Sequence, residues 1–170
     1  LVVDFGSNIG ISALYFLTRN PNVRVYLFEP ISKNVERLKK NLNGFEGRYE
    51  VKEWAIGVKE GRANFASEKT GRYGGLIKGG PSYLSEYPSE MRIEVEVKSA
   101  NKVLKEILRR HCSVDILKID VEGFEVEILS QLETDVLERI NRIYAEVTTD
   151  QKVPGFLSER YGDITRYYRV

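Results

Sequence analysis

Short apolar, β-branched runs alternate with segments of helical period from the first residue onward, and no other feature restricts the fold as much. Leu1-Val2-Val3-Asp4-Phe5 ends at Gly6, and Ile9, Ala13, Phe16 and Leu17 then recur at the i, i+4, i+7, i+8 spacing of one helix face. Asn20-Pro21 stops that helix, and Val23-Arg24-Val25-Tyr26-Leu27-Phe28 reads as a second strand ended by Glu29-Pro30. Ser32 is placed to cap a second helix with Val35, Leu38 and Leu42 on its inner face. Strand, helix, strand, helix in tandem implies a parallel sheet, because parallel neighbours need a crossover and cannot share a tight turn.

The alternation continues less regularly. Residues 49–56 predict a third strand, 57–61 a turn and 62–66 a short strand. Gly71, Gly74, Gly75, Gly79, Gly80 and Pro81 make residues 70–82 too glycine-rich for regular structure, which predicts a long surface loop and a candidate lid. Ile93, Val95 and Val97 alternate with Glu94, Glu96 and Lys98, as in a strand with one wet face. Val103, Leu104, Ile107 and Leu108 predict a helix capped by Ser99 or Asn101. Val114, Ile116, Leu117 and Ile119 form the near-continuous apolar run of a central parallel strand, and Val126, Leu129 and Leu132 the inner face of the helix after it. A strand over 140–147, a short helix near 156–161 and a last strand over 163–170 complete the reading. No linker, repeat or low-complexity tract divides the chain, so residues 1–170 are expected to form one α/β domain. Leu1 already lies inside a strand, which places the expected natural N-terminus upstream.

Composition narrows the function classes. Lys and Arg number 26 against 25 Asp and Glu, so the chain lacks the basic excess of a nucleic-acid-binding protein. Lys33, Arg37, Lys39 and Lys40 read as the solvated side of one helix. A lone Cys112 excludes an internal disulfide and a multi-cysteine zinc site, and with His111 it falls at the strand edge away from the expected site. No metal is expected. No apolar run approaches the ~20 residues that span a bilayer, and a cytoplasmic location is expected.

Ligands of open α/β sheets lie beyond the carboxyl ends of the strands. The first strand ends Asp4-Phe5-Gly6-Ser7-Asn8-Ile9-Gly10, a turn whose glycines allow left-handed backbone and close approach of a ligand. A dinucleotide fingerprint fails here, since Asn8 and Ile11 stand where its second and third glycines belong. Asp4 would repel a pyrophosphate and favours a ligand bearing an ammonium or sulfonium. Glu29, at the tip of the second strand, has the chemistry to accept two hydrogen bonds from a ribose diol. Trp54 suits either an adenine stack or ordinary packing. The central strand ends Leu117-Lys118-Ile119-Asp120-Val121-Glu122-Gly123-Phe124-Glu125, with three carboxylates in six residues. Asp120 is placed to orient ligands, Glu122 to act as a base, and Glu125 falls in a first helical turn where negative charge also suits the dipole.

These stretches, with Phe28-Glu29-Pro30, Asn34, Leu38, Asn41, Ala55-Ile56-Gly57, Gly61 and Phe65, resemble the FkbM-type family of S-adenosylmethionine-dependent class I methyltransferases. The resemblance spans residues 1 to about 130. It implies a Rossmann-like, mostly parallel seven-stranded sheet with helices on both faces and an antiparallel C-terminal edge. It also implies S-adenosylmethionine across the carboxyl edge. Asp4, Gly6, Ser7, Asn8 and Gly10 would surround the methionine part, Glu29 and Pro30 the ribose, and Glu53, Trp54 and Ala55 the adenine. Asp120 would lie near the reactive methyl, with Glu122 and Glu125 beside it as catalytic candidates. The sequence departs from the family in lacking an acidic pair at Ser99-Ala100-Asn101-Lys102, and in showing one clear strand after Val147 where the family has a hairpin. The implied activity is O-methylation of a small-molecule or sugar hydroxyl. The rival readings are a nicotinamide-dependent oxidoreductase and a non-catalytic cofactor-binding or assembly module.

Overall fold

The computed structural model describes residues 1–67, 74–76 and 92–169. Strand Val2–Phe5 (β1), helix Ile11–Arg19 (α1), strand Val25–Phe28 (β2) and helix Ser32–Asn41 (α2) are built as read, and strand Tyr49–Lys52 (β3) comes next. Strands Ala55–Gly57 (β4), Gly61–Ser67 (β5), Gly74–Leu76 (β6) and Arg92–Ser99 (β7) follow. Helix Ala100–Arg110 (α3), strand Val114–Ile119 (β8), and helices Glu125–Gln131 (α4) and Thr134–Leu137 (α5) come next, then strands Ile140–Glu146 (β9), Leu157–Tyr161 (β10) and Ile164–Tyr168 (β11).

Seven strands form one sheet in the order β10-β11-β9-β8-β1-β2-β3, parallel from β3 to β9 and closed by the antiparallel pair β11 and β10. A second sheet has the order β4-β7-β5-β6. In the first sheet the period-2 alternation of β1 sends Val3 and Phe5 to one face and Val2 and Asp4 to the other. Val2 joins Ala13, Leu17, Val25, Leu27 and Leu38 under α1 and α2. Val3 and Phe5 join Leu104, Leu117, Ile119, Ile128 and Ile143 under the helices of the opposite face. Helices on both faces of a mostly parallel sheet are the expected fold, and β1 and β8 sit at its centre with their tips side by side.

Five expectations are corrected. Residues 49–56 are two strands in different sheets, because Lys52 and Glu53 are both exposed and a single half-buried strand cannot turn two successive side chains outward. Within the span read as a loop, Gly74–Leu76 is a strand paired with Phe65–Ser67; the rest of 70–82, and with it the lid, lies outside the described residues. Val126 is exposed and Ile128 takes the inward place, since Glu125 occupies the buried position one turn earlier. None of the expected side-chain caps forms. Ser32 donates instead to Glu53 at 2.8 Å, while Asn101 bridges the Gln131 carbonyl (2.7 Å) and the Glu133 amide (2.9 Å).

The fifth correction is the C-terminal edge. Residues 157–161 are a strand rather than a helix, and the two-strand hairpin is complete. The edge lacks an apolar alternation because a polar network does its work. Glu159 accepts hydrogen bonds from Tyr161 (2.6 Å) and Tyr168 (2.9 Å) and from Arg166 across the hairpin (2.7 Å). His111 bonds Tyr26 at 2.9 Å on the amino edge, as its structural reading requires, and Cys112 is exposed beside it. No helix among the described residues is long and apolar enough to cross a membrane.

Candidate active site

The turn between β1 and α1 brings two strand tips into contact. Gly6 has φ +80°, and a Cβ there would lie 1.7 Å from the Asp120 carbonyl oxygen, so only glycine lets the tip of β1 lie against the tip of β8. Gly10, at φ +82°, packs against Leu38 in the same way. Ser7 is buried and works as a pin: its hydroxyl donates to the Asp4 carbonyl (2.9 Å) and accepts from the Phe28 amide (3.0 Å), tying β1 to β2. The amides of Gly6 and Ser7 both donate to the Phe28 carbonyl, that of Gly10 to the Ser7 carbonyl, and that of Asn8 to Glu29. Four N–H groups that a phosphate would need are therefore spent inside the protein.

Glu29 is buried at the tip of β2. Its Oε2 accepts from the Asn8 amide (3.0 Å), and its Oε1 from the Ile31 amide (3.1 Å) and the Asn34 side chain (3.1 Å). Burial pushes its pKa up, and these three donors pull in the other direction without cancelling it. A carboxylate offers about four lone-pair directions, so three bonds leave one for a ligand. Glu29 lines a cleft at the strand tips.

Pro30, Trp54, Ala55 and Ile56 wall the same cleft, and Gly6 and Asn8 form its floor. Trp54 stacks on Phe28 with centroids 6.2 Å apart and planes at 25°. The ammonium groups of Lys52 and Lys98 lie 5.6 and 5.1 Å from its centroid, which fixes the indole as a wall. Glu53 is absent from the cleft. It is exposed and bonded to Ser32, because the switch between sheets turns its side chain away from Trp54 and Ala55.

Acidic groups close the other side, where Asp120 and Glu122 line the cleft. Asp4 lies beneath them, fully buried, held by the Ser12 hydroxyl on Oδ2 and by Lys118 Nζ 3.1 Å from Oδ1. Lys118 also pairs with Asp120 Oδ2 at 2.9 Å and donates to the Gly6 carbonyl at 3.2 Å. For Asp4 burial outweighs the Lys118 charge and its pKa is raised; for Lys118 the two carboxylates outweigh burial and its pKa is raised as well. Asp4 thus acts through Lys118 and the turn, and does not wall the cleft.

Glu122 adopts φ +60°, a left-handed conformation unusual for such a side chain. Burial, then the charges of Asp120 and Glu125, raise its pKa. Buried Glu125 makes the loop possible, accepting the Val121 amide on Oε1 (2.8 Å) and the Gly123 amide on Oε2 (2.9 Å). Both its oxygens face backbone, so its part is to hold Glu122 in place. Among the described residues no group of three or more His, Cys, Asp or Glu is arranged to hold a metal ion.

One acidic residue of this group was not anticipated. Glu146 ends β9, and the register sets Ala145 beside Ile119, so Glu146 follows next to Asp120. Burial, then a hydrogen bond and charge from Asp120, then Glu122 and Glu125, raise its pKa to about 7. The strand-tip rule applied to Ala145-Glu146-Val147 would have marked it; its adjacency to Asp120 depends on strand order.

The fold and the acid-lined cleft place the chain among the methyltransferases of the α/β class, as the comparisons with known proteins bear out. The model of the methyltransferase FkbM domain matches residues 4–167, and the chain belongs to that family. It is 24% identical to methyltransferase sdnD of Sordaria araneosa, with 97% of this chain and 74% of that protein covered. It is 26% identical to 2-O-methyltransferase NoeI of Sinorhizobium fredii, covering 94% and 68%, and 26% identical to the AMB antimetabolite synthetase AmbE of Pseudomonas aeruginosa, of which it spans only 8%. The crystal structure of methyltransferase FkbM from Methylobacillus flagellatus superposes with a TM-score of 0.63 at 16% identity, over 98% of this chain and 42% of that one.

Proposed function

We propose that the protein transfers a methyl group from S-adenosylmethionine to a hydroxyl oxygen of a small-molecule or sugar acceptor. The observation that carries this reading is the charge of the cleft. Glu29, Asp120 and Glu122 line it, Lys118 is paired with Asp120 and with the buried Asp4, and four amides of its turn are already bonded internally. That arrangement repels a pyrophosphate and suits a ligand carrying a sulfonium and an ammonium, which disfavours a nicotinamide dinucleotide. Glu29 would hold one ribose hydroxyl through its remaining lone pair, with Trp54 and Ala55 beside the adenine and Gly6 and Asn8 beside the methionine part.

When bound, the cofactor supplies an electrophilic methyl group on positively charged sulfur. Asp120 orients the reacting groups from the strand tip, and Glu122 faces the acceptor from its loop. A carboxylate close to the sulfonium stabilises the bound state more than the transition state, where that charge is disappearing, so Asp120 contributes chiefly placement. An oxygen acceptor is supported by the relative named as a 2-O-methyltransferase.

The test is a thermal-shift series with S-adenosylhomocysteine, NAD and NADP. S-adenosylhomocysteine at a hundred times its Kd should stabilise the fold by about 2.7 kcal/mol while the dinucleotides leave it unchanged. Stabilisation by a dinucleotide and none by S-adenosylhomocysteine would overturn the reading.

A further inference from the structure

We infer that the methyl acceptor is an uncharged alcohol or phenol whose apolar body lies in a groove between α1 and the face of β8, β9 and β11, with its hydroxyl donated to Asp120. The inference rests on the methyl-transfer reading above and names the acceptor class of that site.

The groove follows from the sheet. The register sets Lys118 beside Tyr144 and Tyr144 beside Arg166, so β8, β9 and β11 present these residues on one face. On the other face Ile143, Ala145 and Tyr167 are buried, whereas on this one Tyr144 and Tyr168 are half-buried and Ile164 is exposed. Helix α1 packs Ala13 and Leu17 against Val2, Val25 and Leu27 of β1 and β2. Its Tyr15 and Phe16 then form one wall of the groove, and Ile116, Tyr144 and Ile164 the other. Tyr15 is 58% exposed and Ile164 39%. A single apolar side chain in water needs no explanation, but these two line one groove together with three more.

Continuity with the cleft identifies the occupant. Asp120 lines both the groove and the cleft that Glu29 and Trp54 enclose, so a molecule seated in the groove reaches the edge of the cleft at that carboxylate. Small-molecule sites are mostly apolar, with a few polar groups that fix orientation. Here Asp120 is that group: Lys118 is bonded to its Oδ2, and a carboxylate keeps further lone pairs for a hydroxyl donor.

The remaining chemistry sets the class. Lys118 is the one cation among the described residues lining the groove, and Asp4, Asp120 and the Gly6 carbonyl already surround its Nζ. The Ser12 hydroxyl is given to Asp4. A phosphate or carboxylate would therefore meet the charge of Asp120 with no cation left to balance it. A free sugar would set several hydroxyls against Phe16, Ile116 and Ile164, which offer them no partner. An apolar body with one hydroxyl at its end satisfies both conditions.

The experiment is methyl NMR of the isoleucine-labelled protein, with 2-naphthol as the probe. It should shift the signals of Ile116 and Ile164 and leave those of Ile31 and Ile56, which line the cleft and should move with S-adenosylhomocysteine instead. 2-Methoxynaphthalene, the same body without the donor, should bind about tenfold more weakly. 2-Naphthyl phosphate and methyl glucoside should not bind. Ile164→Asp and Tyr15→Gln change exposed side chains, and each should weaken 2-naphthol about tenfold while S-adenosylhomocysteine affinity stays unchanged. No shift at Ile116 and Ile164, equal binding of the phosphate or the ether, or an affinity that neither variant alters overturns the inference. Sedimentation that finds a dimer in the unaltered protein and a monomer in Ile164→Asp would assign the groove to a second copy and overturn it as well. Failure of S-adenosylhomocysteine to bind would remove the methyl-transfer reading by itself, and the shifts caused by 2-naphthol would still decide whether the groove takes an apolar alcohol.

Discussion

Lys118→Met is expected to destabilise the fold by about 3–5 kcal/mol, the cost of leaving a buried charge without its partner. Asp4 is fully buried, and among the described residues Ser12 is the only side-chain hydrogen-bond donor left to it once Lys118 is gone. The same substitution takes the cation from Asp120 and a donor from the Gly6 carbonyl, so the cleft floor loosens with the core. The pH dependence has a definite sign. The folded-state pKa of Asp4 is already raised above its unfolded value and rises further without Lys118, so the folded variant binds a proton that the unfolded chain releases. Its deficit is therefore largest at neutral pH and shrinks as the pH falls toward about 4. Urea unfolding of Lys118→Met, Asp4→Asn and the double variant measures this directly. Asp4→Asn should relieve much of the loss in the Lys118→Met background. A deficit below about 1 kcal/mol at neutral pH would mean that the pair does not hold the strand tips together.

Gly6→Ala should be nearly as severe for a different reason. A φ of +80° costs an L-residue about 1–2 kcal/mol by itself, and the added methyl would lie 1.7 Å from the backbone oxygen of Asp120. Backbone cannot swing aside as a flexible side chain can, so β1 and β8 must part at their tips. The combined loss is expected at about 3 kcal/mol or more, with S-adenosylhomocysteine binding lost as Asp120 moves. Gly47→Ala is the control. It has φ +82° and open space around the new methyl, so it should show the backbone cost alone. Equal stabilities of the two variants would show that contact between the strand tips is not what fixes Gly6.

The parts of the site readable in the sequence are those whose chemistry is local. Gly6, Asn8, Gly10 and Glu29 follow directly on apolar strands, and a turn or a strand tip is defined by its immediate neighbours. Glu29 holds the amides of Asn8 and Ile31 and the side chain of Asn34, so Glu29→Ala would strand three donors and Glu29→Gln is the cleaner probe. What the sequence did not reveal depends on contacts across the sheet. Lys118 lies in an apolar strand and finds its two carboxylates only because β1 lies beside β8. Glu146 meets Asp120 only because β9 is the neighbour on the other side. Glu53 was misplaced because the change of sheet at Lys52 and Glu53 reverses the side-chain alternation that a continuous strand would have kept.

On the proposed function, S-adenosylmethionine would lie in this cleft with its ribose on Glu29 and its sulfur toward Asp120. A crystal structure with S-adenosylhomocysteine tests it most directly. The expected features are one ribose hydroxyl oxygen at about 2.5–3.0 Å from the Glu29 carboxylate, adenine beside Trp54 and Ala55, and sulfur on the Asp120 side. A ligand bound elsewhere, with Glu29 still bonded only to Asn8, Ile31 and Asn34, would contradict it.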